Sequence, residues 1–419
     1  MRAVGLITEY NPFHNGHLHH LRESLKASDA RVAVAVMSGH FLQRGEPALI
    51  DKWSRAEMAL AAGVDLVVEL PLPWACSSAP DFAQGGVQAL NALGRIDALC
   101  FGSESGQLQP LRKCAELLLK KNEDFAERTA QLLREGINYP QARAKLLTEN
   151  LPDMLDAGAL AAPNNILGIE YLKALQRTGS SIEPMTIQRI GAGYHDTEVG
   201  ERNIASATGI RSLLAAGKAV DDLIPAEVIG PLHACLAAGA RFVADRYFAL
   251  LLAQILRAPE RLAECWLVEN GIENRLLEAA EVAGDLEELI DTIKTRQLTR
   301  TRIQRMLVSI LLGIDKPLAV DLLAAGPRYL HLLGVSGKGE QFLAETRRQR
   351  SIPLVQNFSR VHSRLKRFYG IDTCGQRLSH RQLELELRAT KLYSLLQTTS
   401  PGGSRNRDFF EEVRRPQQK

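Results

Sequence analysis

Apolar residues fall into two kinds of run along the first half of the chain. Short, nearly unbroken runs at Ala3–Ile7, Arg31–Ser38, Val64–Leu70 and Ile96–Phe101 have the length of buried strands, and Met185–Ile190 reads as a fifth strand. Gly39 stops the second, Pro71 and Pro73 close the third, and Gly102-Ser103-Glu104-Ser105 closes the fourth. Between them the apolar positions recur at helical spacing. Leu18, Leu21 and Leu25 mark a first helix. Asp51 offers a cap for a second through Trp53, Ala56 and Leu60, stopped at Gly63, and Asp81–Leu93 reads as a third. Strands separated by helices predict an α/β, Rossmann-like, doubly wound parallel sheet with ligands at the carboxyl ends of the strands.

From Gln107 to about Leu160 the chain is rich in Leu, Ala, Lys and Glu and reads as a helical insertion in that pattern. Asn164-Asn165-Ile166-Leu167-Gly168 then opens an amphipathic helix, with asparagine available to cap it. Gly191–Asn203 is a loop of glycine and polar residues. Beyond about Asp222 nearly everything reads helical, apart from a short extended stretch at Arg328–Val335, and the polar tail from Ser400 is expected to fray. The reading divides the chain into residues 1–220, carrying the sheet and the insertion at about 107–160, and residues 221–419, mainly helical.

Composition narrows the class. The chain has 419 residues, of which 45% are hydrophobic, enough for two or three cores. No signal-peptide pattern or membrane-length apolar run is present, and Cys76, Cys100, Cys114, Cys235, Cys265 and Cys374 show no CxxC spacing. These features predict a cytoplasmic protein with reduced thiols and no zinc or other protein-held metal site. The formal net charge of +3 hides an asymmetry. Asp291–Gly370 carries 15 Lys or Arg against 5 Asp or Glu, so the rest of the chain is about seven negative. A basic block on an otherwise acidic chain points to a polyanionic partner, although a solvated helix face would have the same composition.

The candidate chemistry sits in the turn after the first strand. His14-x-Gly16-His17 lies where strand hands over to helix, a junction that offers free N–H groups and partial positive charge to a phosphate. Gly16 permits close backbone approach, and His14 and His17 supply donors for charge that builds during displacement at phosphorus. No GxxxxGK sequence followed by Ser or Thr is present, so this turn takes the place of a P-loop. A second component is Ser206-Ala207-Thr208-Gly209-Ile210-Arg211, where hydroxyls open a helix and Arg211 follows one turn later. By itself that is an ordinary cap. Gly102 stands where a nucleotide would cross the sheet, Asn164 and Asn165 are within reach of adenine or ribose, and Arg189 and Ile190 end the fifth strand, where they could cover the base.

The HxGH turn resembles the signature of the nucleotidyltransferase superfamily, and Ser206–Arg211 resembles its ISSTxxR-like second motif. Longer strings are more specific: Thr8-Glu9-Tyr10-Asn11-Pro12-Phe13-His14-Asn15-Gly16-His17, Met37–Pro47, Glu69-Leu70-Pro71, Phe101-Gly102-Ser103-Glu104, Asn164–Gly168 and Thr299–Arg305. In this order they resemble the tRNA(Met) cytidine acetate ligase family over most of the chain, to about Tyr393. His40 departs from the asparagine usual in the family, and Thr208 from serine.

The resemblance implies a nucleotidyltransferase-type sheet followed by a mostly α-helical RNA-binding region. It implies a ligase that joins acetate to ATP, releases pyrophosphate, and passes acetyl from acetyl-adenylate to the wobble cytidine of elongator tRNA(Met), giving N4-acetylcytidine and AMP. His14, His17, Ser206, Thr208 and Arg211 would be catalytic. Gly5, Leu6, Ile7, Thr8, Glu9, Tyr10, Asn11, Pro12, Phe13, Gly16, Gly102, Asn164, Asn165, Arg189 and Ile190 would line the ATP site, with Mg²⁺ accompanying the ATP. Arg296, Arg300, Arg302 and Arg305 fall near one another on a helix and would grip tRNA. Arg347, Arg348, Arg350, Arg360, Arg364, Lys366 and Arg367 form a second basic cluster, with Phe358, Phe368 and Tyr369 interleaved. Two other readings compete: an adenylyltransferase acting on a small phosphate ester in coenzyme synthesis, and an RNA-binding protein with a vestigial nucleotide site.

Overall fold

A computed structural model describes all residues except 121–122, 152–155, 191–203, 270, 297, 400–404 and 417–419. The expected Gly191–Asn203 loop lies outside the described residues. The strands are β1 (Ala3–Thr8), β2 (Val32–Ser38), β3 (Leu66–Leu70), β4 (Ala98–Ser103), β5 (Glu183–Gln188), β6 (Leu330–Val335) and β7 (Leu354–Val355). They form one seven-stranded sheet in the order β5-β4-β1-β2-β3-β6-β7. β1 to β5 are parallel, with Ala3 opposite Val32 at one end of the central pair and Thr8 opposite Met37 at the other. The chain builds outward from β1 to β3, then returns to place β4 on β1's other side. That reversal opens a crevice at the carboxyl end of β1.

Both faces of the sheet are covered, so the central strands are apolar along most of their length. In β2, Val32, Val34 and Val36 join one core, while Ala33, Ala35 and Met37 join the other. The first core includes Ala83 and Val87 of helix Ala79–Ala92, and Ile169 and Leu172 of helix Pro163–Arg177. It continues into the second half of the chain through Leu251, Ile303 and Leu307. The second core takes Leu21 of helix Asn15–Ser28 and Trp53 and Ala56 of helix Lys52–Ala61. Asp51 caps the latter helix as expected, its carboxylate accepting from the Ser54 amide at 2.9 Å. The insertion is helical, as Leu108–Lys120, Glu123–Arg134, Tyr139–Asn150 and Ala157–Ala161. Among the described residues no helix is long and apolar enough to cross a membrane.

Two expectations are corrected. The sheet is mixed, because the extended stretch at 330–335 joins it as β6, antiparallel to β3. This strand arrives from a helical segment without a βαβ crossover, so nothing imposes the parallel direction. It covers an edge of β3 that would otherwise present unpaired backbone groups. In the tail, residues 405–416 are also built in. Asp408 and Arg407 are buried, and the Val335 amide donates to the Arg414 carbonyl at 2.9 Å.

The tail closes a buried charge network. The Lys52 ammonium lies 2.8 Å from both Glu69 and Asp408, and Glu69 is also 3.0 Å from His331 Nδ1. Arg407 pairs with Asp51 at 3.0 Å. Burial alone would drive Lys52 toward its neutral form, but Asp408 and Glu69 outweigh it and raise its pKa. Replacing one partner leaves a buried charge short of compensation. Asp408→Ala is therefore expected to destabilise the fold by about 3 kcal/mol, read as a lower urea midpoint at unchanged m. An unchanged midpoint would show that the tail does not anchor the sheet.

Candidate active site

The site is built on the first turn of helix Asn15–Ser28. A helix start leaves its first amides without partners, and here two imidazoles take up the task. His14 is the N-cap, and its Nδ1 accepts from the Gly16 amide at 3.1 Å. His17 Nδ1 accepts from the His14 amide at 3.3 Å. Together they make a capping box in which both partners are histidine. A ring nitrogen that accepts carries no proton, so each neutral ring keeps its proton on Nε2 and presents Nε2–H as a donor. The rings stack with centroids 3.7 Å apart. Glycine at 16 is required by this geometry, since a Cβ there would sit 2.9 Å from the His14 ring.

The protonation state follows from the surroundings. Burial, and then the positive charges of Arg189 and Arg211, depress the His14 pKa to about 3. Burial, His14 and Arg189 hold His17 well below its ordinary value. Tyr10 and Phe13, both buried, support the His17 ring at centroid distances of 5.0 and 5.5 Å.

Ser206–Arg211 stands over this turn, with Ile204 3.5 Å from the position of a Gly16 Cβ. Ser206 caps helix Ala207–Ala215, its Oγ accepting from the Gly209 amide at 3.0 Å. The Arg211 guanidinium reaches the Asn11 carbonyl at 3.1 Å, Glu46 at 3.0 Å and Thr208 Oγ1 at 3.3 Å. Two helix N-termini and two guanidiniums thus converge on one crevice, a setting for a polyphosphate.

The remaining candidates divide by role. Gly5, Leu6 and Ile7 lie within β1, where Leu6 is buried and a Cβ at Gly5 would strike Leu90. Thr8 ends β1, Pro12 belongs to the turn itself, and the Asn11 side chain accepts from the Leu49 amide at 2.8 Å. Glu9 accepts from the Gln43 amide at 2.6 Å, and burial raises its pKa. Arg189 crosses Gly102, its Cγ 3.2 Å from where a Cβ would be, and Ile190 follows it. Asn164 and Asn165 do not cap their helix; they lie in its first turn, and Glu104 accepts from both of their amides at 3.1 and 2.8 Å. Asn165 is wholly buried, its side chain bonded to the Glu104 amide and the Ala159 carbonyl.

The arginines expected to form one stripe do not share a setting. Arg300 pairs with Glu287 at 2.6 Å and Arg302 with Glu269 at 3.0 Å, while Arg296 is exposed. Arg305 turns inward and donates to the Gln43 carbonyl at 2.7 Å. Its helix packs so tightly on Gly45, at φ +84°, that a Cβ there would strike the Arg305 backbone. Sequence reasoning missed Glu46, Glu104 and Arg55. The Arg55 side chain is completely buried and donates to the carbonyls of Glu9, Ser38, Gly39 and Ile50, tying the ends of β1 and β2 together. An arginine in an amphipathic helix gives no sign of such a role.

The fold and this histidine-capped turn define a nucleotidyltransferase, and the model of the HIGH nucleotidyl transferase family matches residues 1–408. A tRNA(Met) cytidine acetate ligase from Syntrophotalea carbinolica is 57% identical over 418 residues, covering 98% of each chain. One from Acetivibrio thermocellus is 40% identical over 99% of each. The crystal structure of Thermotoga maritima TmcAL bound with alpha-thio ATP superposes with a TM-score of 0.90 at 30% identity, covering 99% of this chain and 100% of that one. The chain belongs to the tRNA(Met) cytidine acetate ligase family.

A neutral, buried His14 has a cost that depends on pH. Its folded pKa, about 3, lies below the ordinary 6.5, so between these values the unfolded chain binds the extra proton and stability falls as pH falls. An asparagine in its place can still cap but does not titrate. From pH 7.5 to 5, wild type is expected to lose about 2 kcal/mol more than His14→Asn, measured by urea unfolding. Equal losses would show that His14 is not buried as the neutral form.

Proposed function

We propose that this chain activates acetate with ATP and transfers the acetyl group to the wobble cytidine of elongator tRNA(Met). The observation that carries the reading is the pair of Nε2–H donors held at a helix N-terminus by the reciprocal histidine cap. In the first step an acetate oxygen attacks the α-phosphorus, and the bond to pyrophosphate breaks. Negative charge grows on the oxygens around that phosphorus, where Nε2–H of His14 and of His17 donates without being reorganised. Ser206, Thr208 and Arg211 hold the outer phosphates, Arg211 exchanging Glu46 for phosphate oxygens. On this reading Gly102, Arg189 and Ile190 flank the nucleoside and Asn164 borders it, while Asn165, buried and bonded to the Glu104 amide and the Ala159 carbonyl, fixes the loop after β4 rather than reaching the base. Acetate binding and phosphate positioning account for most of the rate, as expected of a displacement that needs little proton transfer.

In the second step the cytosine N4 amine attacks the acetyl carbon, the bond to the AMP oxygen breaks, and N4 gives up a proton. That amine is weakly nucleophilic because its lone pair is delocalised into the ring, so a mixed anhydride with AMP is a fitting acyl donor. Mg²⁺ accompanying the triphosphate would neutralise part of its charge, with Ser206, Thr208 and Arg211 on the outer phosphates. Among the described residues no group of three or more His, Cys, Asp or Glu could hold a metal ion. Residues 1–220 supply this chemistry, and residues 221–419 supply the platform for tRNA.

The test is incubation of the protein with ATP, labelled acetate and elongator tRNA(Met), followed by nucleoside analysis. Label is expected in N4-acetylcytidine, together with acetate-dependent ATP–pyrophosphate exchange in the absence of tRNA. His14→Ala and His17→Ala are each expected to lower exchange by about 10²–10³-fold. AMP formation without labelled RNA would reopen the acceptor, and absence of exchange with acetate would contradict the reading.

A further inference from the structure

The positive charge of the second half is not spread evenly over its surface. From Thr346 to Ile371 the chain carries seven Lys or Arg and no Asp or Glu. Several exposed arginines elsewhere pair with carboxylates, among them Arg128 with Glu149, Arg300 with Glu287, Arg302 with Glu269 and Arg381 with Asp321. Among the described residues, none of the seven cations of this segment has such a partner.

The fold brings five of these cations close together. Helix Val361–Tyr369 buries Val361 and Leu365 against Tyr329, Phe358 and Leu383. Arg360, Arg364 and Arg367, spaced by four and three residues, share its exposed side. Arg350 lies alongside: burial, and then the positive charges of Arg364 and Arg347, lower its pKa. Phe368, next to Arg367, is 50% exposed, whereas Phe358 is 1% exposed. Like charges held together on a rigid helix repel one another, and an anion with regularly spaced charges relieves that repulsion. The segment flanks β7, four strand positions from β1 in the sheet order, which is about 20 Å across the sheet. One RNA hairpin can bridge that distance.

We propose that the face formed by Arg347, Arg350, Arg360, Arg364 and Arg367, beside the β6–β7 edge, grips the sugar-phosphate backbone of the tRNA, with Phe368 offering a stacking surface to an unpaired base. This assignment rests on the RNA-acetylating reading above. It moves the main electrostatic contact away from Arg300 and Arg302, whose charges Glu287 and Glu269 already balance, and from Arg305, which serves the catalytic loop. Cations on such a face hold RNA through its phosphates, and the exposed ring adds contact to a base plane.

The test uses the full chain and an elongator tRNA(Met) transcript, with Kd measured by filter binding from 50 to 200 mM salt. The triple variant Arg347→Ala/Arg364→Ala/Arg367→Ala is expected to bind at least tenfold more weakly at 100 mM salt. The slope of log K against log salt should become shallower by about two to three, since each lost phosphate contact removes roughly 0.7–0.9. Arg300→Ala/Arg302→Ala should lose distinctly less. The triple lysine variant keeps the charge and should bind within threefold of wild type, which separates lost charge from lost folding. Acetate-dependent ATP–pyrophosphate exchange without tRNA reports whether the catalytic centre of each variant is formed. An unchanged Kd and slope in the alanine triple, with wild type binding normally, would overturn the assignment. So would a triple that keeps tRNA but loses binding to phosphatidylserine vesicles. A wild type that shows exchange but binds no tRNA would overturn the RNA reading itself.

Discussion

The structure turns on how one helix start is satisfied. The amides of Gly16 and His14 find their acceptors in two imidazole nitrogens, and that choice fixes the chemistry of the site. Once Nδ1 of each ring is used as an acceptor, the proton must sit on Nε2. With His14 buried and near Arg189 and Arg211, and His17 packed on Tyr10 and Phe13 and near Arg189, neither ring can easily take a second proton. A cap that begins as the local satisfaction of two backbone amides therefore ends as a pair of neutral donors with a fixed direction. Gly16 is part of the same constraint, because any side chain there would push the His14 ring away from the amide it caps.

Around that turn, the two halves of the chain are locked together rather than set side by side. Arg55 gathers the carbonyls at the ends of β1 and β2. The loop after β2 is held from within by Glu9 through the Gln43 amide, and from the helical half by Arg305 through the Gln43 carbonyl. Glu46, in the same loop, holds Arg211. Farther along, Lys52 reaches Asp408 in the tail, and β6 completes the sheet. Several of these ties join residues near the HxGH turn to ones distant in sequence, as Gln43 to Arg305 and Glu46 to Arg211, so the geometry of the crevice depends on both halves of the chain.

Legibility in the sequence follows the range of the interaction. β1 to β5, the helices between them and the HxGH turn are readable because short apolar runs, helical spacing and a strand-to-helix junction are local patterns. The pairing of 330–335 with β3 is not, since an extended apolar stretch does not say which edge it will join or in which direction. The tail reads as frayed because Arg407 and Asp408 look like ordinary polar residues until Lys52 and Asp51 are placed opposite them. Arg305 looks like part of a basic stripe with Arg300 and Arg302 for the same reason: helical spacing gives the face, not what the face meets. Asn164 and Asn165 read as caps, yet their amides are satisfied by Glu104, some 60 residues away, and sequence carries no signal of that pairing.

The most direct test of this account is the tautomeric state of the two histidines. ¹⁵N NMR of the full protein with labelled histidine, at neutral pH and assigned with His14→Asn and His17→Asn, reads the protonation of each ring nitrogen. The account predicts that both rings are neutral, with Nδ1 bare and Nε2 protonated, and that they stay so on acidification to about pH 5. An imidazolium, or a proton on Nδ1, in either ring at neutral pH would contradict the claim that the helix cap sets up the donors of the site.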